Sequence, residues 1–333
     1  IMSGFDLSKE SFDSDYCVVA DDVYMVSERH APGGATHIFP AINNRGFVYR
    51  VKNDQGQEHL LMNGIPSDKC IPKVKKIEED VGQKLTLIVG SGDFHHMAMK
   101  DWLDEFPQAK IIMSGIKFPK TRNGVEILEN ADYKKRIELV TDFDFPSLEQ
   151  YRDVLQFFGF NQFLCPPDAP FTAKDFKNTS KASKFTYLRN VASLKTTEKF
   201  LAVWTYHVPT KQLIYEHNFN FFLTPEHHKQ FGFPFSLLLP KEKICSCAKE
   251  KIPTGPRELE ECKEHCRQMS VVLGLDVRAM MEYHSLPGAM AGRYDSKEDF
   301  RKELVKVLKP SGEDQADGEA MYKAMNPRCC FCF

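Results

Sequence analysis

The chain has almost no surplus charge of either sign. Its 333 residues carry 44 Lys and Arg against 46 Asp and Glu, a formal net charge of −2. That balance argues against the basic footprint of a nucleic-acid or anionic-membrane surface. Tryptophan is scarce, at 2 residues against 26 Phe, so an aromatic interior has to be built mainly from phenylalanine. No apolar run reaches the roughly 20 residues needed to span a bilayer. The runs present, such as Leu85–Val89, are strand-sized. No apolar h-region follows Ile1-Met2-Ser3-Gly4, and the expectation is a cytoplasmic protein without a secretory signal.

Cysteine is not scarce: there are 10. In a reducing compartment these are thiols by default. Cys17, Cys70 and Cys165 stand alone and read as buried or partly buried residues. Cys245, Cys247, Cys262 and Cys266, with His265, have a spacing that leaves structural zinc, disulfides and unlinked thiols all open. Cys262 and Cys266 are four apart on the apolar stripe of an expected helix, where core packing alone accounts for them. The segment Cys329-Cys330-Phe331-Cys332-Phe333 admits lipidation at Cys330 and Cys329. Membrane residence would then require two lipids.

What remains is an ordinary globular composition, 42% hydrophobic and 27% charged. Residues 1–15 are polar and expected to fray, residues 16–308 to form one domain, and residues 309–333 to form a flexible tail. Tyr16–Val26 reads as a strand, and Gly46–Val51 with His59–Met62 as a hairpin turned at Asn53-Asp54-Gln55-Gly56. Helices are expected over Pro72–Asp80 and Met97–Phe106, and strands over Lys84–Val89, Lys110–Met113 and Ile137–Val140. Lys73, Lys75 and Lys76 precede Glu78, Glu79 and Asp80, a pattern of a solvated helix face. Ser147 and Gln150 have capping-box spacing and predict a helix running through Phe158. Phe200–His207 and Gln212–Asn218 read as a second hairpin. Residues 223–256 carry five prolines and read as an irregular insertion. A helix over Arg257–Val272, a strand over Val277–Tyr283 and a helix over Ser296–Leu308 complete the pattern. Two strand groups, each opened by a hairpin and followed by helices, predict an α/β fold with two sheets face to face and helices outside.

Four segments in order carry a more specific resemblance. They are Leu60-Leu61-Met62-Asn63-Gly64 and Leu85–Val89 leading to Gly92-Asp93-Phe94-His95-His96, then Pro209–Ile214 with Glu216 and His217, and finally Tyr283-His284 before Gly288. Together they resemble the metallo-β-lactamase fold, closest to an uncharacterised branch whose histidine motif is reduced to a His-His pair. The resemblance implies a four-layer αββα sandwich. In that fold a strand ends in His-x-His-x-Asp-His, presenting imidazoles and a carboxylate to one or two metal ions. Laid on this sequence, the pattern puts Ser91 and Asp93 where two histidines are expected, His95 where the aspartate is expected, and His96 on the final histidine. Asn63 and Gly64 replace the usual Asp-containing turn.

The resemblance thus implies a lost first metal site and a second site retaining His95, His96, Glu216 or His217, and His284, enough for one zinc or iron ion. Asp93 would orient an imidazole or act as base. Glu216 and His217 are neighbours on a strand and face opposite ways, so one of them faces the site. His30 could line the same pocket from the loop containing Pro32-Gly33-Gly34. Two functions remain open at this point: a metal-dependent hydrolase acting through metal-bound water on a small molecule, and a non-catalytic binding or scaffold protein with a protein partner.

Overall fold

A computed structural model describes residues 6–30, 42–92, 98–116, 118–140, 145–163, 199–215, 219–220, 245–246, 259–283, 288 and 292–308. The chain divides into two compact units. The first comprises Ile1–Gly159, Leu201–Glu216 and Ala279–Gly292; the second comprises Phe160–Phe200, His217–Arg278 and Arg293–Phe333.

The first unit is built on a seven-stranded sheet whose spatial order follows the sequence: β1 (Cys17–Ala20), β2 (Val23–His30), β3 (Ile42–Lys52), β4 (Glu58–Asn63), β5 (Leu85–Val89), β6 (Lys110–Ser114) and β7 (Ile137–Val140). β1 to β4 form an antiparallel meander; β4 to β7 are parallel. The switch follows from the connections. Short turns join β1 to β2 and β3 to β4, whereas parallel neighbours need crossovers. These contain α1 (Ile71–Val81), α2 (Met99–Glu105), α3 (Arg122–Glu129) and α4 (Ala131–Lys134). Helix α1 begins with Pro at its first turn and ends at Gly82, whose left-handed φ of 71° lets its N–H cap the Glu78 carbonyl. α3 starts from Thr121, whose hydroxyl accepts the Gly124 N–H at 2.9 Å.

A second sheet has the order β14 (Gly292–Arg293), β13 (Ala279–Glu282), β10 (Gln212–Tyr215), β9 (Lys199–His207) and β8 (Leu155–Phe163). β9 and β10 are the antiparallel hairpin expected from the sequence, and β13 lies parallel to β10.

Strand periodicity explains the layering. Val23, Met25, Phe47, Tyr49, Leu61, Leu87, Val89 and Ile112 share one buried cluster with Val203, Ile214, Met281 and Tyr283 of the second sheet's strands and their ends. The intervening residues Val26, Val48, Leu60, Met62, Ile88 and Ile111 pack instead with Val74 and Ile77 of α1 and Trp102 and Leu103 of α2. Alternate side chains on one pleated sheet thus supply two cores, in helix–sheet–sheet layers. The fold is an α/β sandwich. The second unit contains α5 (Leu259–Leu273) and α6 (Lys297–Leu308), with β11 (Phe219–Asn220) paired to β12 (Cys245–Ser246). Ser296 caps α6 by accepting the Asp299 N–H at 3.0 Å.

The structure corrects three local expectations. Residues 147–158 are not one helix: Pro146–Tyr151 is a 3-10 helix, and β8 follows as the edge strand beside β9. Leu148, Tyr151 and Leu155 have helical spacing, but they join the inter-sheet core from two elements, so tertiary packing overrides the capping signal. Tyr16–Val26 is two strands, β1 and β2, joined at Asp21-Asp22 with Asp22 at φ 61°. Lys73 does not belong to the solvated face: its ammonium donates to the carbonyls of Phe12, Ser14 and Ser27 at 2.8, 2.7 and 2.9 Å. Lys76 fits that face, exposed and paired to Asp80 at 2.7 Å.

Residues 6–15, read from sequence as a frayed end, lie against the sheet. The Asp6 N–H donates to Val19 at 3.1 Å, and Leu7 and Glu10 are buried. Cys17, Cys70 and Cys266 are buried, and Cys17 and Cys70 are free thiols. The side chains of Cys245, Cys262 and His265, and residues Cys165, Cys247 and Cys329 to Phe333, lie outside the described residues, as does nearly all of the expected insertion at 223–256. Among the described residues no helix is long and apolar enough to cross a membrane.

Candidate functional site

Asp93, His95, His96, Glu216, His217 and His284, with His30's side chain, lie outside the described residues. What the structure gives is the frame from which these positions depart. By sequence range Asp93, His95, His96, Glu216 and His284 fall in the first unit and His217 in the second, the boundary lying between Glu216 and His217.

The frame closes at one end of the sandwich. β4 and β5 run parallel with Asn63 beside Val89, and the Gly64 N–H donates to the Val89 carbonyl at 2.9 Å. Chain leaving β5 reaches the second sheet at once: the Val203 N–H donates to the Ser91 carbonyl at 2.8 Å, and Gly92 bridges Ala202. In the second sheet β10 and β13 end together, with Tyr215 beside Glu282. The two sheets also meet across these ends. The Arg45 N–H donates to the Tyr283 carbonyl at 3.2 Å. A Cβ on Gly64 would lie 2.7 Å from Tyr283 Cε1, and its φ is +95°. Glycine at 64 is therefore required twice, by backbone conformation and by the aromatic ring against it.

Polar groups are buried in this frame. Asn63 and Thr205 are fully buried, and Asn63 Nδ2 donates to Thr205 Oγ1. Asn63 Oδ1 has no hydrogen-bond partner among the described residues, which is costly for a buried acceptor. Thr205 gives no sequence signal, because it is a lone hydroxyl between Trp204 and Tyr206 in β9. Ser91, where the motif expects a first-site histidine, is 1% exposed. Among the described residues no group of three or more His, Cys, Asp or Glu could hold a metal ion.

Two described histidines are structural. His59 Nε2 lies 3.0 Å from the Tyr151 hydroxyl, and burial lowers its pKa. His207 Nδ1 lies 2.6 Å from Thr210 Oγ1, its ring 5.3 Å from that of Tyr49. Burial pushes the His207 imidazole down from 6.5 to about 4. Between those values the unfolded chain binds a proton that the folded chain does not. His207's contribution is therefore complete above 6.5 and is lost as pH falls toward 4. The full loss is about 3 kcal/mol at 1.36 kcal/mol per pH unit. Urea titrations at pH 7 and pH 4 check this. A His207→Phe variant is expected to lose less stability than wild type across that window, and parallel losses would contradict the assignment.

No family model matches the chain, and no curated protein matches it. Solved structures do. The chain is similar to metallo-β-lactamases. The metallo-β-lactamase from Pontibacter korlensis is 9% identical with a TM-score of 0.41, covering 89% of this chain and 98% of its own. That from Erythrobacter litoralis is 8% identical with a TM-score of 0.43, covering 88% and 90%. The Flv1 flavodiiron core from Synechocystis is 13% identical with a TM-score of 0.42, covering 81% and 56%.

Proposed function

We propose that this chain is a metal-dependent hydrolase of the metallo-β-lactamase type, with one ion where two are usual and a small molecule as substrate. The observation that supports it is the shared end of β4, β5, β10 and β13, fastened by the Gly64–Val89, Ser91–Val203 and Arg45–Tyr283 hydrogen bonds. His95 and His96 follow the first fastened pair of strands, and Glu216 and His284 follow the second.

Imidazole nitrogens and a carboxylate suit zinc or iron. The orphaned Asn63 Oδ1 is an acceptor of the kind that orients a metal-binding imidazole through its second N–H. These features fit one ion, held by His95, His96, His284 and either Glu216 or His217. Such an ion supplies a Lewis acid that activates water at neutral pH. Asp93 then orients an imidazole or accepts the proton that water gives up. Metal analysis of chain purified without chelator tests the reading: about one equivalent of zinc, iron or manganese is expected. Less than about a tenth of an equivalent, unchanged on reconstitution, overturns it.

The burial of Ser91 favours a second reading. A first-site position held by a buried serine offers no imidazole there, and a non-catalytic binding protein descended from the same fold would show the same feature.

A further inference from the structure

The segment before β1 places one carboxylate at the centre of a set of converging donors. The side chain of Glu10 is buried against the fully buried Arg45 of β3. They meet side-on, with Arg45 Nε donating to Glu10 Oε1 at 2.8 Å and Nη2 to Oε2 at 2.6 Å. The hydroxyl of Ser27, a buried residue of β2, also donates to Oε1, at 2.8 Å. The Gly288 N–H donates to Oε2 at 2.6 Å. Each oxygen thus takes two donors, which matches the lone pairs of a carboxylate. None of these donors belongs to the segment that carries Glu10. They come from β2, β3 and the stretch between β13 and β14. The guanidinium has a hold apart from Glu10, because Nη1 donates to the Glu282 carbonyl at 3.0 Å. The segment likewise has holds apart from its carboxylate. The Asp6 N–H donates to the Val19 carbonyl, and the Lys73 ammonium to the carbonyls of Phe12 and Ser14.

We propose that Arg45, Ser27 and Gly288 form a carboxylate-binding site, and that Glu10 is its intramolecular ligand, brought in on the N-terminal segment. The ligand class is a small carboxylate, or the carboxylate of an acidic side chain. Burying a carboxylate and a guanidinium is costly, and the cost is offset only where geometry and added hydrogen bonds are good. Here the guanidinium presents two parallel N–H groups, a fork that fits a planar carboxylate and gives geometric specificity as well as strength. Ser27 and Gly288 then complete one oxygen each. A spherical anion such as chloride has no second oxygen to match the fork. A short tether supplies Glu10 at an effective concentration on the order of millimolar, so the intact chain fills its own site. A free carboxylate takes the place when the tethered one is shortened. None of these residues is a proposed metal ligand, so the site stands or falls apart from the metal reading.

Chemical rescue of the full-length Glu10→Ala variant tests the site. The change removes a methylene and a carboxylate, nearly an acetate ion, and leaves the donors in place. In chloride at neutral pH the variant is expected to unfold at a lower Tm than wild type. Exchanging chloride for about 100 mM acetate at fixed ionic strength is expected to shift the variant's unfolding equilibrium about tenfold toward the folded form, the effect of a ligand at about ten times its Kd. Bulky pivalate should give no such shift. Wild type, whose site is filled, and Glu10→Gln, whose amide occupies the space, should not respond to acetate. Adding Ser27→Ala to Glu10→Ala should weaken the acetate response. The same response to pivalate, or the same acetate response in wild type, is a general salt effect and overturns the site. So does a Glu10→Ala chain indifferent to acetate, or an acetate response undiminished by Ser27→Ala. Should Glu10→Ala not fold in chloride, refolding from urea is read instead. Recovery in acetate and not in chloride supports the site; failure in both overturns it.

Discussion

Trp102→Ala is expected to cost about 3–5 kcal/mol of unfolding free energy, the range for truncating a buried tryptophan. Helix α2 has only seven residues, too few to be stable on its own, so its place depends on what it buries. Trp102 is its main anchor. The ring is fully buried and stacks on Phe106 at 5.4 Å with planes 15° apart. Its Nε1 donates to the Pro66 carbonyl at 2.8 Å, tying the helix to the chain just after β4. Met99, Leu103 and Phe106 share the same cluster. Urea unfolding at neutral pH reads the effect, and Trp102→Phe separates its parts. The smaller ring keeps most of the burial but strands the Pro66 carbonyl, for an expected loss of about 1–3 kcal/mol. A Trp102→Ala loss below about 1 kcal/mol would mean the ring is not the anchor. Because α2 begins immediately after residues 93–97, the alanine variant is also expected to weaken any metal held by His95 and His96.

The fold was legible where one physical signal dominated. Alternation along β3 and strand-sized apolar runs in β4 and β5 marked strands, and the pleat explains why Val48 and Tyr49 enter different cores. The spacing of Ala98, Trp102 and Phe106 marked α2, and all three are buried. Legibility failed where two signals competed. Leu148, Tyr151 and Leu155 satisfy helical spacing, but edge pairing to β9 decides the second half of that stretch. α3 and α4 had no counterpart in the sequence reading: glycine and asparagine are turn-prone types, yet Gly124 donates to the Thr121 cap of α3 and Asn130 caps α4. At the candidate site, His95, His96 and His284 stand out in the sequence by residue type, and they lie outside the described residues. Glu10 is one glutamate in a polar stretch, and its arginine is 35 residues away. No local pattern encodes that pairing; only the sheet brings β3 beside the N-terminal segment.

His96→Ala is expected to abolish whatever turnover the chain has, and this single change separates hydrolase from scaffold. A survey with generic ester, lactam, thioester and phosphodiester substrates supplies the assay. Loss of one ligand leaves the ion with fewer donors than a tight site requires. Even a group that only orients a ligand is worth about 10–100-fold, so deleting the ligand itself should cost more than about a hundredfold in kcat/KM. His59→Ala is a control, because that buried imidazole is bonded to Tyr151 and has no part in the site frame. It should lower stability and leave the rate per folded molecule unchanged. Turnover lost in His96→Ala and kept in the control supports the hydrolase. Turnover equal in wild type and His96→Ala would come from a contaminant or from other residues and would remove His96 from the mechanism. No turnover in wild type that holds an equivalent of metal would favour the reading that Ser91 suggests, a protein that keeps the ion to shape a surface rather than to activate water.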